Sequence, residues 1–291
     1  MFPEKPSDLP PFEPLGLPGW ALEDEEERDL PPAPSRSFRQ LLQPLFERIA
    51  ESASSWHAEG ACFRHSRESR YWMPRLVFAR RGEQPSIKLA IFAGIHGDEP
   101  AGVHALCDLA GSLDAAPALA RQYLIHAYPL CNPSGYEDGA RHSRSGKDLN
   151  REFWRGSPEP EVQLLEREIL REKYDGLISL HSDDTSDGLY GFVRGATLTE
   201  HLLTPALAMA EQMLPVNQAP LIDGFHAVNG IIHSAYDGIL SAPPNAKPQP
   251  FEIILESPAH APLHLQRAAL VLAVTEIIRH YRRLIAYGAD L

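Results

Sequence analysis

From Ser37 onward the chain switches repeatedly between two hydrophobic periods. Phe38, Leu41, Leu42, Leu45, Phe46 and Ile49 recur at helical spacing and predict an amphipathic helix over about 37–52. Apolar stretches at 71–80 and 87–95, separated by Arg81-Gly82-Glu83, predict two strands and a turn. A helix over about 100–113 follows, its apolar side made by Val103, Leu106, Leu109 and Ala110, and then a strand at 123–130. Residues 131–157 are loop-like, with Asn132-Pro133-Ser134-Gly135 as a strong turn signal. Beyond it the pattern predicts a helix at 161–173, a strand at 176–181 with 189–193 pairing beside it, and a helix at 199–213. After a poorly periodic region to about 249 come a buried strand at 251–256 and a closing helix at 264–287. Strands that alternate with helices imply an α/β layered domain with a largely parallel sheet. No internal repeat or second domain is visible.

The first 36 residues break the pattern. Nine prolines stand among them, and the run Glu23-Asp24-Glu25-Glu26-Glu27-Arg28-Asp29 adds acid. Such a segment cannot bury enough apolar surface to order itself, which predicts a solvated arm, poorly ordered or draped on a domain at 37–291.

Composition narrows the class. In 291 residues, a 43% hydrophobic and 23% charged content is that of an ordinary soluble globular protein. A net charge of −12 argues against non-specific nucleic-acid or anionic-membrane binding, and no run approaches membrane-spanning length. The three cysteines, Cys62, Cys107 and Cys131, are scattered, which indicates neither a disulfide framework nor a cysteine zinc site. With no secretory signal at the start, the expectation is a cytoplasmic protein.

The candidate chemistry begins at Gly94-Ile95-His96-Gly97-Asp98-Glu99-Pro100, where an apolar run ends in a glycine-rich turn. His96 and Glu99, three positions apart at a strand–turn–helix junction, are a workable pair of zinc ligands. In an α/β sheet ligands collect at the carboxyl ends of strands. Two further candidates stand at such ends: His181 in Leu180-His181-Ser182, and Glu256 in Leu255-Glu256-Ser257. His181 would complete a two-histidine, one-glutamate site with a coordination position left for water. Glu252 shares a strand face with Glu256, so spacing alone does not separate them; position at the strand end favours Glu256. Asp183 and Asp184 read as solvated loop acids. His104, His126, His226 and His233 read as packing or surface residues, with His233 the one most suited to line a pocket.

The order of motifs then becomes informative. His96 and Glu99 are followed by Asn132-Pro133-Ser134-Gly135, Arg141, Asp148-Leu149-Asn150-Arg151, a histidine after a strand and a glutamate near the end. This sequence of motifs resembles the carboxypeptidase A-like zinc peptidases, a family that also contains aspartoacylase, succinylglutamate desuccinylase and murein peptide amidases. The resemblance covers about 90–257. It implies a single-domain three-layer α/β sandwich around a central twisted, mostly parallel mixed sheet. It further implies one Zn2+ on His96, Glu99 and His181. Arg141, preferred to Arg144, would stabilise the oxyanion, and Glu256 would be the general base. Asn150 and Arg151 would grip a substrate carboxylate, and Tyr236 would correspond to the family's mobile tyrosine. The expected substrate is a small peptide or an N-acyl amino acid with a free carboxylate. The expected reaction is release of a C-terminal amino acid. Its alternatives are deacylation of an N-acyl amino acid, cleavage of a cell-wall tripeptide, or a pocket that binds without catalysis.

Overall fold

The computed structural model describes residues 9–14, 36–51, 55–65 and 70–289. In chain order they form β1 (Glu13–Pro14), α1 (Phe38–Glu51), β2 (Trp56–Arg64), β3 (Arg70–Ala79), β4 (Ile87–Ala93), α2 (Pro100–Ala115), β5 (Tyr123–Tyr128) and α3 (Pro133–Asp138). Next come α4 (Pro160–Glu172), β6 (Gly176–Asp183), β7 (Tyr190–Val193), α5 (Ala196–Leu198), a π-helical turn (Thr199–Leu203) and α6 (Thr204–Ala210). The chain closes with β8 (Leu221–Ile222), β9 (Phe225–Val228), β10 (Ile231–Ile232), β11 (Phe251–Pro258) and α7 (Leu263–Ala289).

The strands join one sheet in the order β1-β2-β3-β5-β4-β6-β11-β7-β10-β9-β8. Its middle, β5-β4-β6-β11, is parallel, and its wings are antiparallel apart from the β7–β10 pair. This follows from composition: β4 and β6 are continuous apolar runs buried on both faces, as central parallel strands must be. Side chains along β5 alternate, and the alternation identifies the two outer layers. Tyr123 points to one face, where its hydroxyl donates to the Ile278 carbonyl of α7 at 2.6 Å. His126 and Tyr128 point to the other face and meet the Tyr174 hydroxyl, just past α4, at 2.8 and 2.9 Å. Helices α2 and α7 therefore cover one side and α4 the other. The three-layer mixed α/β architecture agrees with the expectation from sequence.

The predicted apolar faces are the buried ones. In α1, Phe38, Leu42, Leu45, Phe46 and Ile49 are buried, and in α2, Val103, Leu106, Leu109 and Ala110. Three differences stand out. Strand β2 had no hydrophobic signal, because Ala58-Glu59-Gly60-Ala61 at its centre carries little β propensity. Strand β7 does not lie beside β6; β11 inserts between them and pairs antiparallel with β7. The supposed loop at 131–157 holds α3 and a short 3-10 turn at Leu149–Arg151.

Part of the N-terminal arm is seated on this framework. Phe12 is buried against Tyr128 with their rings 5.7 Å apart, and the Arg75 guanidinium lies 4.6 Å from its ring centre. Arg167 donates to the carbonyls of Leu9 and Pro10 at 2.6 and 2.7 Å. The acidic run at 23–29 lies outside the described residues. Among the described residues no helix is long and apolar enough to cross a membrane.

Candidate active site

The parallel strands β4, β6 and β11 end together, and the candidate residues gather there. After β4 the chain turns at Gly94, whose φ of +62° favours glycine. Gly97 is required for a different reason: a Cβ there would stand 1.9 Å from the carbonyl carbon of Gly135. The two turns thus meet backbone against backbone. Asn132 stitches them, donating from Nδ2 to the Ile95 carbonyl at 3.2 Å while its Oδ1 accepts the Gly135 N–H at 2.8 Å. This is the physical link between two motifs that lie more than thirty residues apart in the sequence.

Glu99 occupies the N-cap of α2 ahead of Pro100, yet its side chain makes no capping hydrogen bond. It turns into the cleft instead, where Oε1 lies 2.5 Å from His96 Nδ1 and Oε2 lies 3.0 Å from His181 Nδ1. Oε2 also accepts the Ser182 N–H at 3.0 Å. His96, Glu99 and His181 are all buried and offer ligand atoms within 4.8 Å of one another. Two imidazole nitrogens and a carboxylate converging in a buried pocket are the donor set of an open zinc site. Both far nitrogens face polar neighbours, as ligand histidines do: Ser179 Oγ lies 3.1 Å from His181 Nε2, and Asp148 Oδ1 lies 3.3 Å from His96 Nε2. The residues present therefore fit a metal ion.

Glu256 and His181 are register partners on the adjacent parallel strands β11 and β6, which brings the carboxylate beside the trio. Burial, and behind it the negative charges of Glu99, Asp183 and Asp223, push its carboxyl well above the usual range. Glu252 lies apart, in a small apolar pocket with Leu177 and Val193, and accepts the Ala242 N–H. Arg141 reaches the trio: its Nη1 is 3.3 Å from His96 Nδ1 and 3.5 Å from Glu99 Oε1, and its Nε donates to Asp148 at 3.1 Å. Arg144 instead points away, bonded to Asp138 and to the Tyr71 hydroxyl. Asn150 and Arg151 line the same cleft of about 460 Å³. The Asn150 Oδ1 is taken by the Leu240 N–H at 2.8 Å, which leaves its amide nitrogen as the group for a ligand. Arg151 lies under the Tyr236 ring, 4.3 Å from its centre, and the Tyr236 hydroxyl donates to the Asp223 carbonyl at 2.9 Å. Burial and Asp223 push that hydroxyl up to about 12.

All eight residues singled out in the sequence line this one cleft. Asp183 and Asp184 line it too; Asp183 ends β6 and accepts from the Tyr190 hydroxyl at 2.8 Å, so it is not a plain solvated loop acid, whereas Asp184 is exposed in the bend that follows. His233 does not line the cleft; its Nδ1 meets the Val193 carbonyl at 3.1 Å. Sequence reasoning passed over Asp148, which touches both His96 and Arg141, and Ser179, which shares a strand face with His181. It also passed over Asp223, which sits in the aperiodic region. Burial alone would raise the Asp148 carboxyl, but His96, Arg141 and Arg151 hold it well below the usual range.

Residues 85–220 match the succinylglutamate desuccinylase/aspartoacylase catalytic domain. That stretch, just under half of the chain, resembles the catalytic domain of this family. The matched stretch holds His96, Glu99, Arg141, Asn150, Arg151 and His181, whereas Tyr236 and Glu256 lie beyond it. No curated protein matches the chain by sequence. Solved structures share the fold. A candidate metallopeptidase from Shewanella amazonensis SB2B is 20% identical, with 83% of this chain and 91% of that one covered and a TM-score of 0.68. A metallo-carboxypeptidase from Burkholderia cenocepacia is 18% identical, with 86% and 70% covered and a TM-score of 0.62. A succinylglutamate desuccinylase/aspartoacylase from Rhodobacter sphaeroides is 18% identical, with 79% and 65% covered and a TM-score of 0.52. Metallopeptidase and metallo-carboxypeptidase are the names of the first two of these neighbours, and in this chain His96, Glu99 and His181 offer ligand-type atoms.

Proposed function

We propose that the protein is a zinc-dependent hydrolase that cleaves an amide bond next to a free carboxylate and releases a C-terminal amino acid from a short peptide. The observation that carries this reading is the meeting of four kinds of group in one cleft: the His96–Glu99–His181 trio, the cationic Arg141, the carboxylate Glu256 and the pair Asn150 and Arg151. A zinc ion on the trio would supply Lewis acidity, lowering the pKa of a coordinated water and polarising the scissile carbonyl. Arg151, its guanidinium over the Tyr236 ring, would take the substrate carboxylate through its planar fork, with the Asn150 amide as a second donor. Arg141 would donate to the carbonyl oxygen as negative charge develops there, its Nε fixed by Asp148. Glu256 would take a proton from the attacking water and hand it to the departing amine nitrogen. Its raised proton affinity suits a group that must both accept and release.

The test is a comparison of substrates on the zinc-loaded protein. Short peptides should lose their C-terminal residue, and a chelator should stop the reaction. A protein that carries no metal with His96, Glu99 and His181 intact would overturn the reading. The family match over 85–220 favours a second reading, deacylation of an N-acyl amino acid. Turnover of N-acyl amino acids with no turnover of peptides would establish that one instead.

A further inference from the structure

A second cluster of metal-type donors lies outside the cleft. His65 follows the end of β2, Glu159 is the N-cap of α4, and Glu161 sits in the first turn of that helix. The three offer ligand atoms within 4.8 Å of one another. His65 Nε2 lies 2.6 Å from Glu161 Oε1. Glu161 is fully buried, and its other oxygen, Oε2, has no hydrogen-bond partner. Glu159 is buried beside it, its Oε2 accepting from the hydroxyls of Ser145 at 2.7 Å and Ser143 at 3.4 Å.

Two buried carboxylates thus share one imidazole, and one carboxylate oxygen is left without any partner. A buried carboxylate oxygen without a hydrogen bond or counter-charge is costly. The nearby Arg144 does not relieve it, because its guanidinium is committed to Asp138 and Tyr71. A cation at the common focus would satisfy the orphaned oxygen and balance the second negative charge. One imidazole nitrogen with two carboxylate oxygens suits zinc and its transition-metal neighbours, whereas calcium needs six to eight oxygens. We infer that His65, Glu159 and Glu161 form a second, structural site for a divalent cation of the zinc class. Its place explains its use. Ser143 and Ser145 belong to the loop that carries Arg141 and Asp148, so the cation would pin that loop to the end of β2 and the start of α4.

The site is tested in a full-length variant lacking two cleft ligands, His96→Ala with His181→Ala. Loaded with zinc and desalted, this double variant should retain one zinc per chain, and its melting temperature should rise on zinc addition. Wild type should hold two. Adding His65→Ala should remove both the retained zinc and the thermal shift. A double variant that retains no zinc and shows no shift overturns the inference, as does a triple variant that still retains one. If the triple variant does not fold, Glu159→Gln in the double background reads the same property; loss of zinc supports the site and full retention overturns it. A wild type that holds one zinc, lost with His96 and His181, overturns this site and leaves the cleft reading intact.

Discussion

Glu256 stands next to His181 across one pair of parallel strands, so a change at 256 can remove the carboxylate while leaving the trio in place. Glu256→Gln should lower turnover by about 10²–10⁴-fold with zinc content unchanged, the range that a lost general base gives; a rate near wild type would remove Glu256 from the role proposed for it. Asp148→Asn should act through other groups, because Asp148 touches both His96 and Arg141. An outer partner of a ligand histidine is worth about 10–100-fold in metal affinity, and competition with a chromogenic chelator reads that loss directly. Away from the cleft, His126 reports on acid stability. Burial, assisted by the Arg75 charge, lowers its pKa to about 4. The unfolded chain, with an imidazole near 6.5, then binds the proton that the native state refuses. The contribution of the neutral His126 is present in full above about pH 6.5 and is lost as the pH falls toward 4, at most about 3 kcal/mol. Urea unfolding at pH 7.0, 5.5 and 4.5 should show wild type losing more stability over this interval than His126→Gln. The same slope in both would show that His126 carries none of it.

Between residues and the whole lie the two turns that meet at Gly97 and Gly135. A methyl group at 97 has no space against the Gly135 backbone, and overpacking a tight contact costs about 1–3 kcal/mol. Gly97→Ala should therefore show a lower urea midpoint and weaker zinc retention together, since His96 and Glu99 flank the position. These turns were legible from sequence because their chemistry is local: glycine, proline and asparagine at fixed spacings have few uses. The long helices and the apolar strands β4, β6 and β11 were legible for the same reason, each carrying its own period. What could not be read was pairing. Nothing local in Trp56–Arg64 distinguishes a strand, because Glu59 is stabilised there by Arg75 on the neighbouring strand rather than by any pattern of its own. Likewise 190–193 reads as a strand, but its position beyond β11 is decided sixty residues later in the chain. Ser179 was recoverable in principle, by counting two residues back from His181 along one face of β6. Asp223 was not, since its approach to the cleft depends on the irregular path of residues 214–249.

At the scale of the whole molecule, the face of the sheet under α4 holds a buried ionic group, with Arg75 paired to Glu59 and, at 2.5 Å, to Glu168. Phe12 closes that group from solvent. Phe12→Ala should cost about 3–5 kcal/mol, the range for emptying a buried aromatic position, measured as a shift of the urea midpoint; a change below about 0.5 kcal/mol, typical of surface positions, would mean that the arm does not hold this face. The strand that follows Phe12 has a different role. β1 is only Glu13 and Pro14, paired to Gly60 and Glu59 of β2, and it forms one margin of the sheet. Proline has no N–H to offer a further strand, and a two-residue margin gives little template for one. Among the described residues it is β1 that pairs with this edge of β2, at Gly60 and Glu59 of its nine residues. A chain lacking its first fourteen residues should therefore scatter light more steeply with concentration than the intact protein, as β2 pairs edge to edge; equal scattering from the two would mean that β1 does not guard this edge.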